Sequence, residues 1–251
     1  MNRTKPILAA AIFIAMALTL SCSDDDGSDS DPGGSSSSVG DITLDSQAYL
    51  CSYGSNCSMA PPYTGSGTIR IVLREQCDNE PCAKEEIDVG KVENGDIYLQ
   101  LPSSISDKYL SDIDEPFKDT DDCQTTKNTI QFSSEDARFI NLFEIRLYAE
   151  DGLTYLLVVG YINSDNSIIT EMGFVHNIYS TKAVKVTGEY EKKCGDYLTK
   201  ETTNIDLKAG WNKLPQHQEI SGYNTFINTS SNPSVLKEDV KWLLLPLDHP
   251  Q

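Results

Sequence analysis

From residue 41 onward the chain is built of short apolar runs that alternate with polar positions and are broken by Gly, Pro, Asn and Asp. In GTIRIVLR, Ile69, Ile71 and Leu73 alternate with Arg70, Val72 and Arg74, the period-two pattern of a strand with one buried face. IDVGKVENGDIYLQLP predicts a hairpin closed by Asn94 and Gly95, the pair that best accepts the positive φ angles of a type I′ turn. That register sets Val92 opposite Ile97 and Glu93 opposite Asp96, the latter a like-charge pair that is unfavourable directly across a ladder. FEIRLYAEDGLTYLLVVGY predicts a second hairpin turning at Asp151 and Gly152, with Leu147 opposite Leu156 and Ile145 opposite Val158. Its first strand turns Glu144, Arg146 and Tyr148 to the other face. Its second is apolar on both sides through Leu156, Leu157, Val158 and Val159 and is expected to be central and covered.

Further strands are predicted in MGFVHNIYS, AVKVTGEY, TNIDL and VKWLLLP. No stretch carries a 3.6-residue apolar stripe of helical length; SISDKYL suits one short helical turn. Many short strands with turn signals predict an all-β fold, one or two antiparallel β-sandwich domains. The acidic, Pro-containing stretch 111–128 is the natural boundary, which gives an N-terminal β domain at 41–118 and a C-terminal β-sandwich domain at 119–251.

The first 40 residues have a different character. Arg3 and Lys5 precede an apolar run from Ile7 to Leu20. As a helix that run would span roughly 21 Å, shorter than the roughly 30 Å of a bilayer core, so residues 1–21 read as a cleaved signal. Residues 23–40 hold seven serines, five aspartates and four glycines, a composition that cannot bury a core and predicts a disordered tether over 22–40. At the junction, LTLSC resembles a bacterial lipobox, with Thr19 where that pattern prefers an aliphatic residue. The resemblance implies that the chain is cut before Cys22 and that Cys22 carries the lipid anchoring it in a membrane. The acidic cluster Asp24–Asp26 resembles the export signal of surface lipoproteins in some Gram-negative gut bacteria, which implies an outer-membrane, cell-surface location.

Removing residues 1–21 takes two of the 20 basic residues and none of the 38 acidic ones, leaving a net charge near −20. Such a field repels phosphate backbones and anionic headgroups, and nucleic acid is excluded as a partner. Seven cysteines less Cys22 leave six, an even number in an exported chain, which predicts three disulfides. Pairing sequence neighbours gives Cys51–Cys57 and Cys77–Cys82 and leaves Cys123–Cys194, the most economical of 15 connectivities for six cysteines. Grouped C-x2-C thiolates or thiolates with histidines would signal a metal, and neither arrangement occurs.

Catalytic signatures are missing: no G-x-S-x-G, no H-E-x-x-H and no phosphate-binding G-x-x-x-x-G-K-[ST] is present. His176 falls in a predicted strand, His217 in a predicted loop and His249 beside the C-terminus; an isolated histidine is more often packed or solvated than a base. Asp112, Asp114, Glu115, Asp119, Asp121 and Asp122 offer oxygen ligands of the kind calcium prefers, but without an EF-hand's glycine and terminal glutamate they read as a solvated linker. Trp211 and Trp242 suit either sugar stacking or core packing, and their positions beside strands favour the core. NGDIYLQLP, VTGEY, DLKAGWNKLP and KWLLLP resemble segments of β-rich surface lipoproteins of Gram-negative anaerobes, which implies the architecture alone. The expectation is therefore a non-catalytic surface lipoprotein that needs no cofactor and binds a glycan or an envelope protein. A hydrolase of unfamiliar type or a structural component of an envelope assembly are the alternatives. A cleft with two facing carboxylates of separated pKa would mark the hydrolase.

Overall fold

The computed structural model describes residues 46–52, 55–75, 84–118, 123–142, 144–165 and 168–247. Cys22, Cys77, Cys82, Asp119, Asp121, Asp122 and His249 lie outside these residues. The described residues form the strands β1 (Ala48–Leu50), β2 (Gly67–Arg74), β3 (Lys84–Glu93), β4 (Asp96–Leu99), β5 (Ser111–Asp112), β6 (Gln124–Asn128), β7 (Gln131–Phe132) and β8 (Arg138–Leu142). They continue with β9 (Ile145–Ala149), β10 (Thr154–Asp165), β11 (Ile168–Ser180), β12 (Val184–Cys194), β13 (Tyr197–Leu207), β14 (Gly210–Ser221), β15 (Asn224–Ser230) and β16 (Lys241–Pro246). The expected all-β class is what the structure has. Helical geometry among the described residues is confined to single 3-10 turns, one of them Asp107–Tyr109 within SISDKYL.

The strands form one hydrogen-bonded sheet in the order β4-β3-β2-β9-β10-β11-β14-β15-β13-β12-β6. β16 lies on the free side of β10 with β1 beyond it, β8 and β5 extend from β11, and β7 joins β12. Pairing is antiparallel except for β1 with β16 and β13 with β15. β10 runs beside β9 at Thr154–Leu156 and beside β11 from Gly160 on; β11 in turn exchanges β10 for β8 at Asn177. Such exchange of partners along long strands bends a continuous sheet into facing layers. The main core fills the resulting interior with Ile69, Ile71, Leu73, Leu147, Leu157 and Leu244, each at most 2 % exposed. Strands from before residue 118 pair with strands from after it, β2 with β9 and β1 with β16.

The Asn94–Gly95 hairpin has the expected register, Val92 opposite Ile97 and Glu93 opposite Asp96. Asn94 and Gly95 take φ of 52° and 88°, as a type I′ turn requires. The like charges are offset separately, Glu93 by the Lys91 ammonium at 2.5 Å and Asp96 by the Ser46 hydroxyl at 2.8 Å.

The second hairpin differs from expectation by one residue. Ala149 N–H donates to the Leu153 carbonyl, closing a three-residue loop of Glu150, Asp151 and Gly152, and Leu147 faces Tyr155 while Arg146 faces Leu156. The physical reason is at Asp151. A two-residue type I′ turn needs positive φ at both central residues, and among the described residues Asn94 is the only non-glycine with one; Gly152 alone, at 86°, turns this chain. The apolar pattern could not choose between registers because β10 is apolar on both faces. Tyr155 and Leu157 enter the main core, while Leu156 and Val158 pack against Leu243, Leu245 and the Cys51–Cys57 pair on the other side.

The disulfides Cys51–Cys57 and Cys123–Cys194 join Cα atoms 5.3 and 4.3 Å apart. The second ties the residue just before β6 to the end of β12, across a sequence separation of 71. Trp211 and Trp242 both pack against the main core. The Trp211 indole sits edge-on to Tyr179 at 5.3 Å and donates its N–H to the Pro102 carbonyl at 2.6 Å.

Candidate functional site

His217 does not lie in a loop. It sits within β14, a strand that Pro215 and the polar run QHQE conceal in the sequence. Pro215 is placed where β14 already has β11 beside it but before the β15 rungs begin at Gln216, an edge-like position that tolerates a residue without an N–H. Once QHQE is extended, alternation assigns its side chains to two faces: Gln216 and Gln218 to one, His217 and Glu219 to the other.

The face carrying His217 and Glu219 is the floor of a pocket of about 610 Å³. Two rows of cross-strand neighbours make it. One runs Glu171, Glu219, Phe226, Lys200, Glu191, Lys127 across β11, β14, β15, β13, β12 and β6; the other runs His217, Asn228, Thr202, Glu189. Ser234, Val235 and Lys237, from the chain that follows β15, also line the pocket. Six strands at about 4.8 Å spacing give a floor roughly 24 Å long. Phe226 lies in its middle with 43 % of its surface exposed.

The floor's charges are paired. Lys127 bonds Glu189, Lys200 bonds Glu191 at 2.8 Å, and Lys237 bonds Glu219. Each lysine holds its carboxylate below the usual carboxylate range; the Thr126 hydroxyl adds to this at Glu191 and His217 adds to it at Glu219. At the β11–β14 end, the Nε2 of buried His217 stands 3.4 Å from Glu171 Oε1 and 3.4 Å from Glu219 Oε1. Its Nδ1 shares a 2.8 Å hydrogen bond with the Tyr161 hydroxyl, and the Lys237 ammonium lies 3.4 Å from Glu171 Oε1.

The opposite face carries a chain of hydrogen bonds that begins at His176 Nε2, 3.3 Å from Gln216 Oε1. Gln216 Nε2 then donates to Thr229 Oγ1 at 3.1 Å, and Thr229 donates to Glu201 Oε1 at 2.9 Å; Thr203 donates to the same oxygen at 3.3 Å. Along the path His176–Gln216–Thr229–Glu201 each donor lies on the His176 side of its acceptor, the arrangement in which successive bonds polarise one another, and Thr203 joins at Glu201. Burial lowers the His176 pKa to about 4, against the opposing effect of Gln216. Burial also raises the Glu201 carboxyl above its usual value, against the opposing effect of the two threonine hydroxyls. His176 is therefore a neutral packed histidine in a strand, as its sequence position suggested.

Of the acidic linker, Asp114 and Glu115 both bond Lys118, and Asp112 lies 3.9 Å from Arg138. Glu171, Glu219, Phe226 and Lys237 were not apparent as site residues from the sequence. The signal that bears on them is the spacing His217-x-Glu219, which places both on one face only if the segment is a strand. No protein-family model, curated protein or solved structure matches the chain.

Proposed function

We propose that the chain is a lipid-anchored protein displayed on the outer surface of a Gram-negative cell, and that it binds a glycan on the pocket floor without reacting with it. The anchor is Cys22 and the tether is the Ser/Asp/Gly-rich segment after it. The observation that carries the binding reading is the exposed Phe226 ring set among Asn228, Thr202 and paired charges on a rigid sheet. A sugar ring presents C–H faces that stack on an aromatic ring and hydroxyls that hydrogen-bond carboxylates, ammonium groups and amides at its edge.

Charge supports a neutral polyhydroxyl ligand. The floor pairs four glutamates with three lysines, whereas the whole chain has 38 acids and 20 bases. Binding rather than hydrolysis is favoured by Glu201. It is the carboxyl in this region with a raised pKa and it borders the pocket, but its carboxylate is engaged by Thr203 and Thr229 and not by a pocket carboxylate. The lysines beside the pocket's Glu189, Glu191 and Glu219 lower all three carboxyls in the same direction, which does not set an acid and a base apart among them.

The test is a glycan array probed with the full chain, followed by incubation of each bound glycan with the protein and chromatography of the products. Saturable binding with no change in the glycan is the expected result. Cleavage of a bound glycan would establish the hydrolase instead, and binding to envelope proteins with none to glycans would establish the protein-partner reading.

A further inference from the structure

We propose that Glu171, His217 and Glu219 form a binding site for a zinc-class divalent cation, and that the Lys237 ammonium is the resident counter-cation which the metal displaces. The three ligand atoms lie within 4.8 Å of one another. Ligand atoms on a tetrahedral zinc with bonds of about 2.0–2.1 Å stand about 3.3 Å apart. Both distances from His217 Nε2 to the carboxylate oxygens, 3.4 Å, are already of that size.

Four further features point to a cation here. Glu171 Oε1 is buried and accepts no hydrogen bond, having only the longer 3.4 Å approaches of His217 Nε2 and the Lys237 ammonium at the point where the three groups converge. Glu171 and Glu219 are direct cross-strand partners, a like-charge arrangement that costs stability unless positive charge lies between them. Tyr161 holds His217 Nδ1, which fixes the ring with Nε2 toward the carboxylates; a hydrogen-bonded far nitrogen is the usual support of a metal-binding histidine. Finally, Lys237 already brings a positive charge to both glutamates, and its side chain, 53 % exposed, has solvent into which to withdraw.

One imidazole nitrogen and two carboxylates suit zinc, which accepts four N or O ligands and would keep a water in the fourth position. Calcium, which needs six to eight oxygens, is disfavoured. The site is independent of the glycan reading, since it is tested without sugar.

The experiment is zinc titration by calorimetry of the oxidised, chelator-treated full chain, beside Glu219→Gln, His217→Gln and Lys237→Met. The wild type is expected to bind one zinc per chain at this site. Glu219→Gln, at an exposed carboxylate, should melt like the wild type without zinc and lose the site; His217→Gln should lose it too. Lys237→Met should bind zinc about tenfold more tightly, because the competing charge is gone. Zinc binding unchanged in Glu219→Gln, or no saturable binding by Lys237→Met, would overturn the site. Loss in Glu219→Gln with no tightening in Lys237→Met would overturn the displacement of the lysine, and preference for calcium over zinc would overturn the assigned ligand class.

Discussion

Replacing His176 with glutamine should flatten the acid side of the protein's stability profile. In the folded chain His176 is neutral, with a pKa of about 4 against an ordinary value of 6.5, because burial opposes the imidazolium. The unfolded chain therefore takes up a proton at higher pH than the folded one does. Stability is full above the unfolded value and is lost as pH falls from about 6.5 through about 4. The difference of about 2.5 units, at ~1.36 kcal/mol each, gives about 3 kcal/mol lost across that window. Glutamine keeps an amide N–H that can donate to Gln216 Oε1 and has no proton to gain. Urea unfolding at pH 7 and pH 4 gives the change in stability for each protein, and subtracting one change from the other cancels the groups that both share. The wild type should lose about 3 kcal/mol more than His176→Gln. Equal losses, within about 0.5 kcal/mol, would refute the reasoning that a partly buried neutral imidazole anchors this ladder.

At the other end of the same ladder the sign reverses. The Glu201 pKa is raised by burial, so its contribution is complete below the ordinary carboxyl value and is lost as pH rises from there; Glu201→Gln should flatten this slope, measured by thermal melts between pH 4 and pH 8. Removing Cys194 opens a bond across a sequence separation of 71, and Cys194→Ser should lose about 4 kcal/mol in the loop-entropy model, read as a lower urea midpoint. Metabolic labelling with a fatty acid should mark the wild type and not Cys22→Ser; label on the serine variant would remove the proposed anchor.

The fold was legible where one side-chain pattern admitted one backbone. Asn94–Gly95 fixed its register because both residues accept positive φ, and Ile69, Ile71 and Leu73 fixed a face because Arg70 and Arg74 stand in the alternate positions. Legibility failed where the pattern was degenerate or masked. The run Leu156–Val159 is apolar on both sides because β10 separates two hydrophobic clusters, so it offers no phase from which to count a register. β14 was hidden because its two faces carry a polar ladder and a charged floor in place of an apolar face and a solvated one, and because Pro215 interrupts it. The site residues share that strand and its neighbours. Glu171, His217 and Phe226 are distant in sequence and meet only through pairing between β11, β14 and β15, which no local spacing reports.

The central claim is that the β-sheet floor around Phe226 holds a sugar ring. Calorimetry of the full chain and of Phe226→Ala with the glycan that binds best on the array tests it most directly. Phe226→Ala should keep the wild-type melting temperature, because the ring is exposed, and lose about tenfold in affinity, the worth of one stacking contact. Undiminished affinity in that variant would place the ligand elsewhere and contradict the account.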